Sequence, residues 1–266
     1  MAKEDRDYIL VDQTRPTGFK LWLYFLSVHI CTLIGRIFLF WRTFGTENIP
    51  RSGPLLVVSN HPSYLDPPTL VATVIYYADR DLSTMAWDKL FKIPFVAFFT
   101  RHYKSYPVNR ENPGRGPFLT LLHILKNGGA ASVFPEGSRS HQRLMGPWKP
   151  GALRAAFSTE ATILPVTVLT APEFWPRKNW RPRLFRPHHV LIHKPIPYAE
   201  YAGDTSDGAK KRASEEALAE RLRCIINGPL LEREQEWKAY HEEMARRRDP
   251  LRQETRDAIS PRFPHA

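Results

Sequence analysis

The stretch Ser59 to Pro68, SNHPSYLDPP, sets a His and an Asp five positions apart directly behind an apolar run, Leu55 to Val58. Inside one helix, five residues at about 100° each would leave His61 and Asp66 roughly 140° apart and unable to cooperate. They meet only if His61 lies in the turn before a helix and Asp66 in its first turn. Pro62 and the box from Ser63 to Asp66, a Ser followed three residues later by an acid, fit a chain entering a helix at that point. In that arrangement Asp66 accepts a hydrogen bond from one imidazole nitrogen, which sets the tautomer and leaves the other nitrogen free to take a proton. The pair is then a general base with an orienter and no nucleophile of its own. A helix cap beside a hydrogen-bonded His is the plainer alternative.

A second stretch of the same kind follows about seventy residues on. In FPEGSRS, Phe134 to Ser140, Gly137 permits a tight turn at the end of an apolar strand, and Glu136 and Arg139 are placed beyond it. Arginine is suited to bidentate phosphate recognition. YPVNR puts Arg110 at yet another strand end, and functional residues of open α/β sheets gather at the carboxyl ends of strands. Arg110 and Arg139 as solvated surface charges, and Glu136 as a structural ion-pair partner of Arg139, are the alternatives.

The elements that must position these residues are legible from Phe44 to about Tyr198, where short apolar runs alternate with helical segments. Strands are expected at 55–59, 82–87, 104–108, 130–135, 162–169 and 189–193, and helices at 67–78, 89–100, 115–127 and 150–160. The expected class is α/β, a mostly parallel or mixed central sheet flanked by helices, with an N-terminal apolar membrane-associating helix and C-terminal charged helices. Residues 1–43 form the N-terminal part, 44–202 the catalytic domain and 203–266 a charged C-terminal part. There the pattern predicts two amphipathic helices broken near Gly228 and Pro229, then a frayed tail.

From Leu21 to Trp41 the chain is apolar around its whole circumference if helical, so that helix must be buried in protein or in lipid. Only 15 residues lie between Lys20 and Arg36. A span needs roughly 17 to 25 apolar residues, and about 10 to 14 more often marks a buried or interfacial helix. The expectation is a helix dipping into one leaflet with Arg36 snorkelling; a full span and a soluble-core helix are the alternatives. The preceding polar residues carry acids and no clean cleavage site, unlike a signal peptide. A formal charge of +11, from 38 Lys and Arg against 27 Asp and Glu, favours an anionic partner. Two cysteines without CxxC spacing indicate neither a disulfide framework nor a zinc site, and point to a reducing, cytoplasmic-face location.

Taken together, these stretches resemble the glycerolipid acyltransferases of the lysophosphatidic acid acyltransferase type, whose four blocks are matched in order. The NHx4D block resembles Asn60, His61 and Asp66. The second block, ending in an Arg, resembles the segment from Lys92 to Arg110. The EGTR block appears as Glu136, Gly137, Ser138 and Arg139, and the fourth as Leu164, Pro165 and Val166. Ser138 stands where the family usually has Thr. Ala86-Trp87 replaces an Ala-Lys pair, with Lys89 or Lys92 as possible substitutes for the missing cation. The resemblance implies transfer of an acyl group from acyl-CoA or acyl carrier protein to a lysophosphatidic-acid-like acceptor, giving phosphatidic acid in phospholipid biosynthesis, on an anionic membrane surface.

His61 would deprotonate the acceptor hydroxyl and Asp66 would hold His61; Arg110 and Arg139, with Lys149, would hold the phosphate. Asn60, Glu136, Gly137 and Ser138 would shape the substrate site. Glycerol-3-phosphate or another lysophospholipid is the nearest rival acceptor. No metal and no cofactor beyond the two substrates is expected: His189 and His193 would share a strand face, but no acid or Cys partner is evident nearby. A hydrolase would want a nucleophile elbow, and no GxSxG occurs. A non-catalytic basic module binding membrane or nucleic acid is the remaining alternative; no nucleic-acid partner is expected.

Overall fold

The structure, a computed structural model, describes residues 11–259 except 13, 16, 113, 138, 140–143, 147, 149–150, 171–184, 186 and 204–206, with side chains undescribed at 151–152, 170, 237–238 and 240–259. Seven strands form one sheet: β1 (Arg42–Phe44), β2 (Leu55–Ser59), β3 (Ser83–Trp87), β4 (Tyr106–Val108), β5 (Ala130–Val133), β6 (Thr162–Thr170) and β7 (His188–Ile192). Their order across the sheet is β1-β7-β6-β2-β5-β3-β4. All neighbours run parallel except β6 and β7, so the sheet is mixed. β2 is buried along its whole length, the pattern of a strand covered on both faces. Its Val58 lies opposite Val133 of β5 and Pro165 of β6, which brings the ends of β2 and β5 side by side.

Among the described residues six α-helices complete the fold: α1 (Phe19–Phe38), α2 (Asp66–Ala78), α3 (Pro94–His102), α4 (Gly116–Lys126), α5 (Gly151–Thr159) and α6 (Gly208–Ile259). One core joins α1 and α2 to the sheet through Val28, Val71, Ile75, Leu55 and Val166. The other, on the opposite face, joins α4, α5 and the first part of α6 through Leu121, Ala156, Leu222, Ile226, Leu56 and Ile163.

Four expectations need correction. The helix expected at 89–100 begins only at Pro94, because a residue before proline is held extended, and Ile93 adopts φ −90°, ψ 112°; residues 88–92 form a 3₁₀ turn instead. The strand expected at 104–108 begins at Tyr106, since Lys104 takes a positive φ of 55°. The boundary expected between residues 43 and 44 falls inside β1. The two C-terminal helices are one continuous helix: Gly228 and Pro229 lie within α6, immediately after Leu222 and Ile226 pack into the core and Thr167 Oγ1 donates to the Ile226 carbonyl at 2.9 Å.

Helix α1 is fastened at its start by Asp81, which accepts from Tyr24 Oη at 2.9 Å, Arg15 Nε at 3.1 Å and Lys104 Nζ at 2.5 Å. Tyr24 and Val28 face the protein, whereas Phe19, Trp22, Leu33 and Ile37 are each more than half exposed. That exposure removes the soluble-core reading of this helix.

Candidate active site

The end of β2 runs into a turn in which Asn60, His61 and Ser63 are buried, and Asn60 and His61 are held by different elements. Asn60 spans to β6: its Oδ1 accepts from the Val168 N–H at 2.7 Å and its Nδ2 donates to the Val168 carbonyl at 3.0 Å. Both ends of the amide are thus engaged by backbone, and Asn60 positions its neighbour. The His61 N–H donates to Glu136 Oε1 at 3.1 Å, which ties the turn to the segment after β5. The His61 ring stacks on Phe134 with centroids 4.4 Å apart.

With backbone and ring held, the imidazole meets the carboxylate. His61 Nδ1 lies 2.9 Å from Asp66 Oδ2. A carboxylate only accepts, so Nδ1 carries the proton and Nε2 is left with its lone pair. Asp66 Oδ2 also accepts from the Ser63 N–H at 2.7 Å, and Pro67 and Pro68 start α2 behind it, as the helix-entry box predicts. Asp66 is fully buried, and burial raises its carboxyl above the ordinary range, opposed by the hydrogen bonds from His61 and Ser63. Its Oδ1 has no hydrogen-bond partner among the described residues.

The remaining predicted residues divide into two groups. Gly137 takes φ 69°, a conformation that disfavours a Cβ, and its N–H donates to the Phe134 carbonyl at 2.9 Å to close the turn that carries Glu136. Arg139 is buried, its guanidinium 3.5 Å over the ring of Tyr64, which sits on the turn between His61 and Asp66. Asn60, His61, Asp66, Glu136, Gly137 and Arg139 therefore form one cluster at the ends of β2 and β5.

Arg110 stands apart, exposed beyond the end of β4, three strand spacings or about 14 Å from β2. Its guanidinium lies 5.5 Å over the Trp87 ring, and Lys89 Nζ lies 5.0 Å over the same ring. Lys89, not Lys92, shares the platform that Trp87 provides. Ser138 and Lys149 lie outside the described residues.

One pair of contacts escaped the sequence reading. Phe134 and Val168 hold His61 and Asn60 by contacts across 73 and 108 positions, which no local spacing signals. The histidines at the two ends of β7 sit beside hydroxyls: His188 Nε2 is 3.1 Å from Thr69 Oγ1, and His193 Nε2, just past the strand, is 2.8 Å from Thr167 Oγ1. Burial pushes His188 down to about 4, so it stays neutral.

A mixed α/β sheet with a buried His–Asp pair and a buried Arg at its carboxyl edge is matched over residues 42–169 by the family model Acyltransferase. A chloroplastic 1-acyl-sn-glycerol-3-phosphate acyltransferase of Brassica napus is 30% identical over 175 residues, 64% of this chain and 49% of that protein. A 1-acyl-sn-glycerol-3-phosphate acyltransferase of Bacillus subtilis is 26% identical over 189 residues, 70% of this chain and 88% of that protein. The chain thus spans about half the length of the plant relative and most of the bacterial one. The crystal structure of the 1-acyl-sn-glycerophosphate acyltransferase PlsC from Thermotoga maritima shares the fold, with a TM-score of 0.58 at 24% identity over 81% of this chain and 80% of that one.

Proposed function

We propose that the protein transfers a fatty acyl group from an acyl thioester, acyl-CoA or acyl carrier protein, to the free hydroxyl of 1-acylglycerol-3-phosphate, giving phosphatidic acid. The observation that carries this reading is the 2.9 Å contact between His61 Nδ1 and a fully buried Asp66, which leaves Nε2 as the acceptor of a proton. A thioester already has a good leaving group, because a thiol ionises near pH 8.5, whereas a glycerol hydroxyl is a poor nucleophile until its proton is removed. His61 Nε2 takes that proton as the oxygen attacks the thioester carbonyl. The C–S bond then breaks, and the imidazolium returns the proton to the departing thiolate. Asp66 holds the ring and stabilises the imidazolium while it exists. Arg139, buried beside the dyad turn, would meet the acceptor's phosphate, with Arg110 and Lys89 as outlying cations.

Placement on a membrane fits the outer surface. Phe19, Trp22, Leu33 and Ile37 of α1, and Ile93, Phe95 and Phe98 at α3, are exposed large apolar side chains. Lys20, Arg36, Lys92 and Arg101 flank them, the pattern of an element lying at an anionic interface.

The test is thiol release from palmitoyl-CoA by purified protein with lysophosphatidic acid, with glycerol-3-phosphate and with no acceptor, His61→Ala alongside. General-base catalysis is worth about 10² to 10⁴ in rate, so the variant should lose that much with lysophosphatidic acid. Preference for glycerol-3-phosphate would reassign the acceptor. Release without an acceptor would mean a thioesterase, and wild-type turnover by His61→Ala would end the reading.

A further inference from the structure

A cavity of about 420 Å³ lies between the last turns of α1, the second half of α2 and the edge strand β1. It is separate from the dyad: Asp66 opens α2, and Thr73 and Tyr76 of the cavity wall lie seven and ten residues further on, about 10 to 15 Å along the helix. The acyl-transfer step uses none of its lining residues.

Its wall combines cations, aromatics and unmet polar atoms. Arg36 and Arg42 both line it, and neither has a carboxylate partner among the described residues. Arg36 donates to Tyr77 Oη at 3.1 Å and lies 5.4 Å over the Tyr76 ring, so it is oriented without being neutralised. Thr32 Oγ1, Trp41 Nε1 and Thr73 Oγ1, all on lining residues, are buried with no hydrogen-bond partner among the described residues, an arrangement that folded proteins rarely tolerate three times in one wall. The Trp41 ring folds back onto Gly35 of α1, where a Cβ would stand 2.6 Å from Trp41 Cε3. A glycine inside a helix is unfavourable relative to alanine, and here it admits the indole that backs the cavity.

Two unneutralised guanidinium groups select a phosphate or carboxylate. The volume is within the range of small-molecule sites and would take a glycerol phosphate, but not two long acyl chains. Phe40 and Phe44 of the lining, and Leu33 and Ile37 nearby on α1, are exposed apolar side chains, so such chains could lie outside along the helix. We propose that this cavity is a second, non-catalytic site for the headgroup of an anionic phospholipid carrying a terminal phosphate. The anion site stands on the cavity alone; the lipid as its source rests on the membrane docking proposed above.

The experiment follows the Trp41 indole N–H resonance of ¹⁵N-labelled protein, assigned by its loss in Trp41→Phe. The protein is titrated with dihexanoyl phosphatidic acid, inorganic phosphate and dihexanoyl phosphatidylcholine. Dihexanoyl phosphatidic acid should move the resonance saturably, and the double substitution Arg36→Gln with Arg42→Gln should weaken its Kd about tenfold or more, since two charge-assisted contacts are lost. Thiol release by Arg42→Gln alone with a short-chain lysophosphatidic acid should stay within about twofold of wild type, which also reports folding. If the pair does not fold, Arg42→Gln alone, on the short edge strand, should still weaken binding severalfold. An equal response to inorganic phosphate would overturn the lipid assignment, and an equal response to phosphatidylcholine would overturn the role of the terminal phosphate. No saturable shift, or one indifferent to the arginines, would overturn the site. Binding is read without turnover, so loss of the acyl-transfer reading would leave this result standing.

Discussion

Two positions along the same edge of the sheet carry cationic and proton-handling groups, and they are built in opposite ways. At the end of β2, His61 and Asp66 are buried, and the turn between them is held through Val168, Glu136, Phe134 and the Ser63 N–H. At the end of β3 and β4, Trp87 holds Lys89 and Arg110 on its ring at the surface, and Lys89 reaches Glu111 at 3.6 Å with both side chains more than half exposed. The first arrangement fixes a proton acceptor to within a hydrogen bond. The second gathers charge at the surface in contact with solvent, and exposed ion pairs contribute little to stability. In the proposed acyl transfer, that difference would suit a chemical step that needs geometry beside a substrate charge that needs only attraction.

The comparison breaks first at Asp66. Asp66→Asn keeps an oxygen for the Ser63 N–H but removes the carboxylate that steadies an imidazolium, and should cost about 10² to 10⁴ in kcat. Its effect on stability has the opposite sign. Burial raises the Asp66 carboxyl, so between about pH 4 and that raised value the folded protein binds more protons than the unfolded chain, and stability falls as pH rises through the window. Asn has no such slope. Melting temperatures from pH 4 to 7 should therefore show wild type losing ground to Asp66→Asn as pH rises; wild type gaining ground would contradict a destabilised buried carboxylate.

Asn60 comes next. Removing its amide in Asn60→Ala leaves the Val168 N–H and carbonyl unpaired in a buried site, a penalty of about 1 to 3 kcal/mol in denaturant unfolding. Turnover should drop as well, without any contact between Asn60 and substrate, because His61 follows it on the turn. A variant of full stability and full kcat would show that the turn holds itself.

These two residues also show what sequence could and could not disclose. The His–Asp spacing, the helix-entry box and the apolar run of β2 are local patterns, and β2, α2, α4, α5 and β6 fall within about a residue of where periodicity puts them. The partners of Asn60 and of the His61 N–H are tertiary, and Glu136 reads equally well as an ion-pair partner or a substrate contact until β5 is laid beside β2. β1 is three residues long, too short for its exposed–intermediate–exposed alternation to stand out in the sequence, and it exists because β7 offers a parallel edge. α6 continues through Gly228 and Pro229 because packing of Leu222 and Ile226 on the core outweighs a local breaker signal.

The smallest effect is expected at the exposed end. Arg110→Gln removes a surface guanidinium, so its unfolding free energy should stay within about 0.5 kcal/mol of wild type and kcat should be nearly unchanged. The KM for lysophosphatidic acid should rise severalfold at low salt and converge on wild type as ionic strength increases, because charge at the surface acts over roughly 10 Å at 0.1 M salt and is screened beyond it. Trp87→Ala should reproduce part of that rise with both cations still present, since Lys89 and Arg110 would lose the ring that aligns them. A fall in kcat for Arg110→Gln as large as that for Asp66→Asn would erase the contrast between the two ends. The arginine would then touch the reacting centre, and the sheet edge would have to close over the substrate by the roughly 14 Å that now separates β4 from β2.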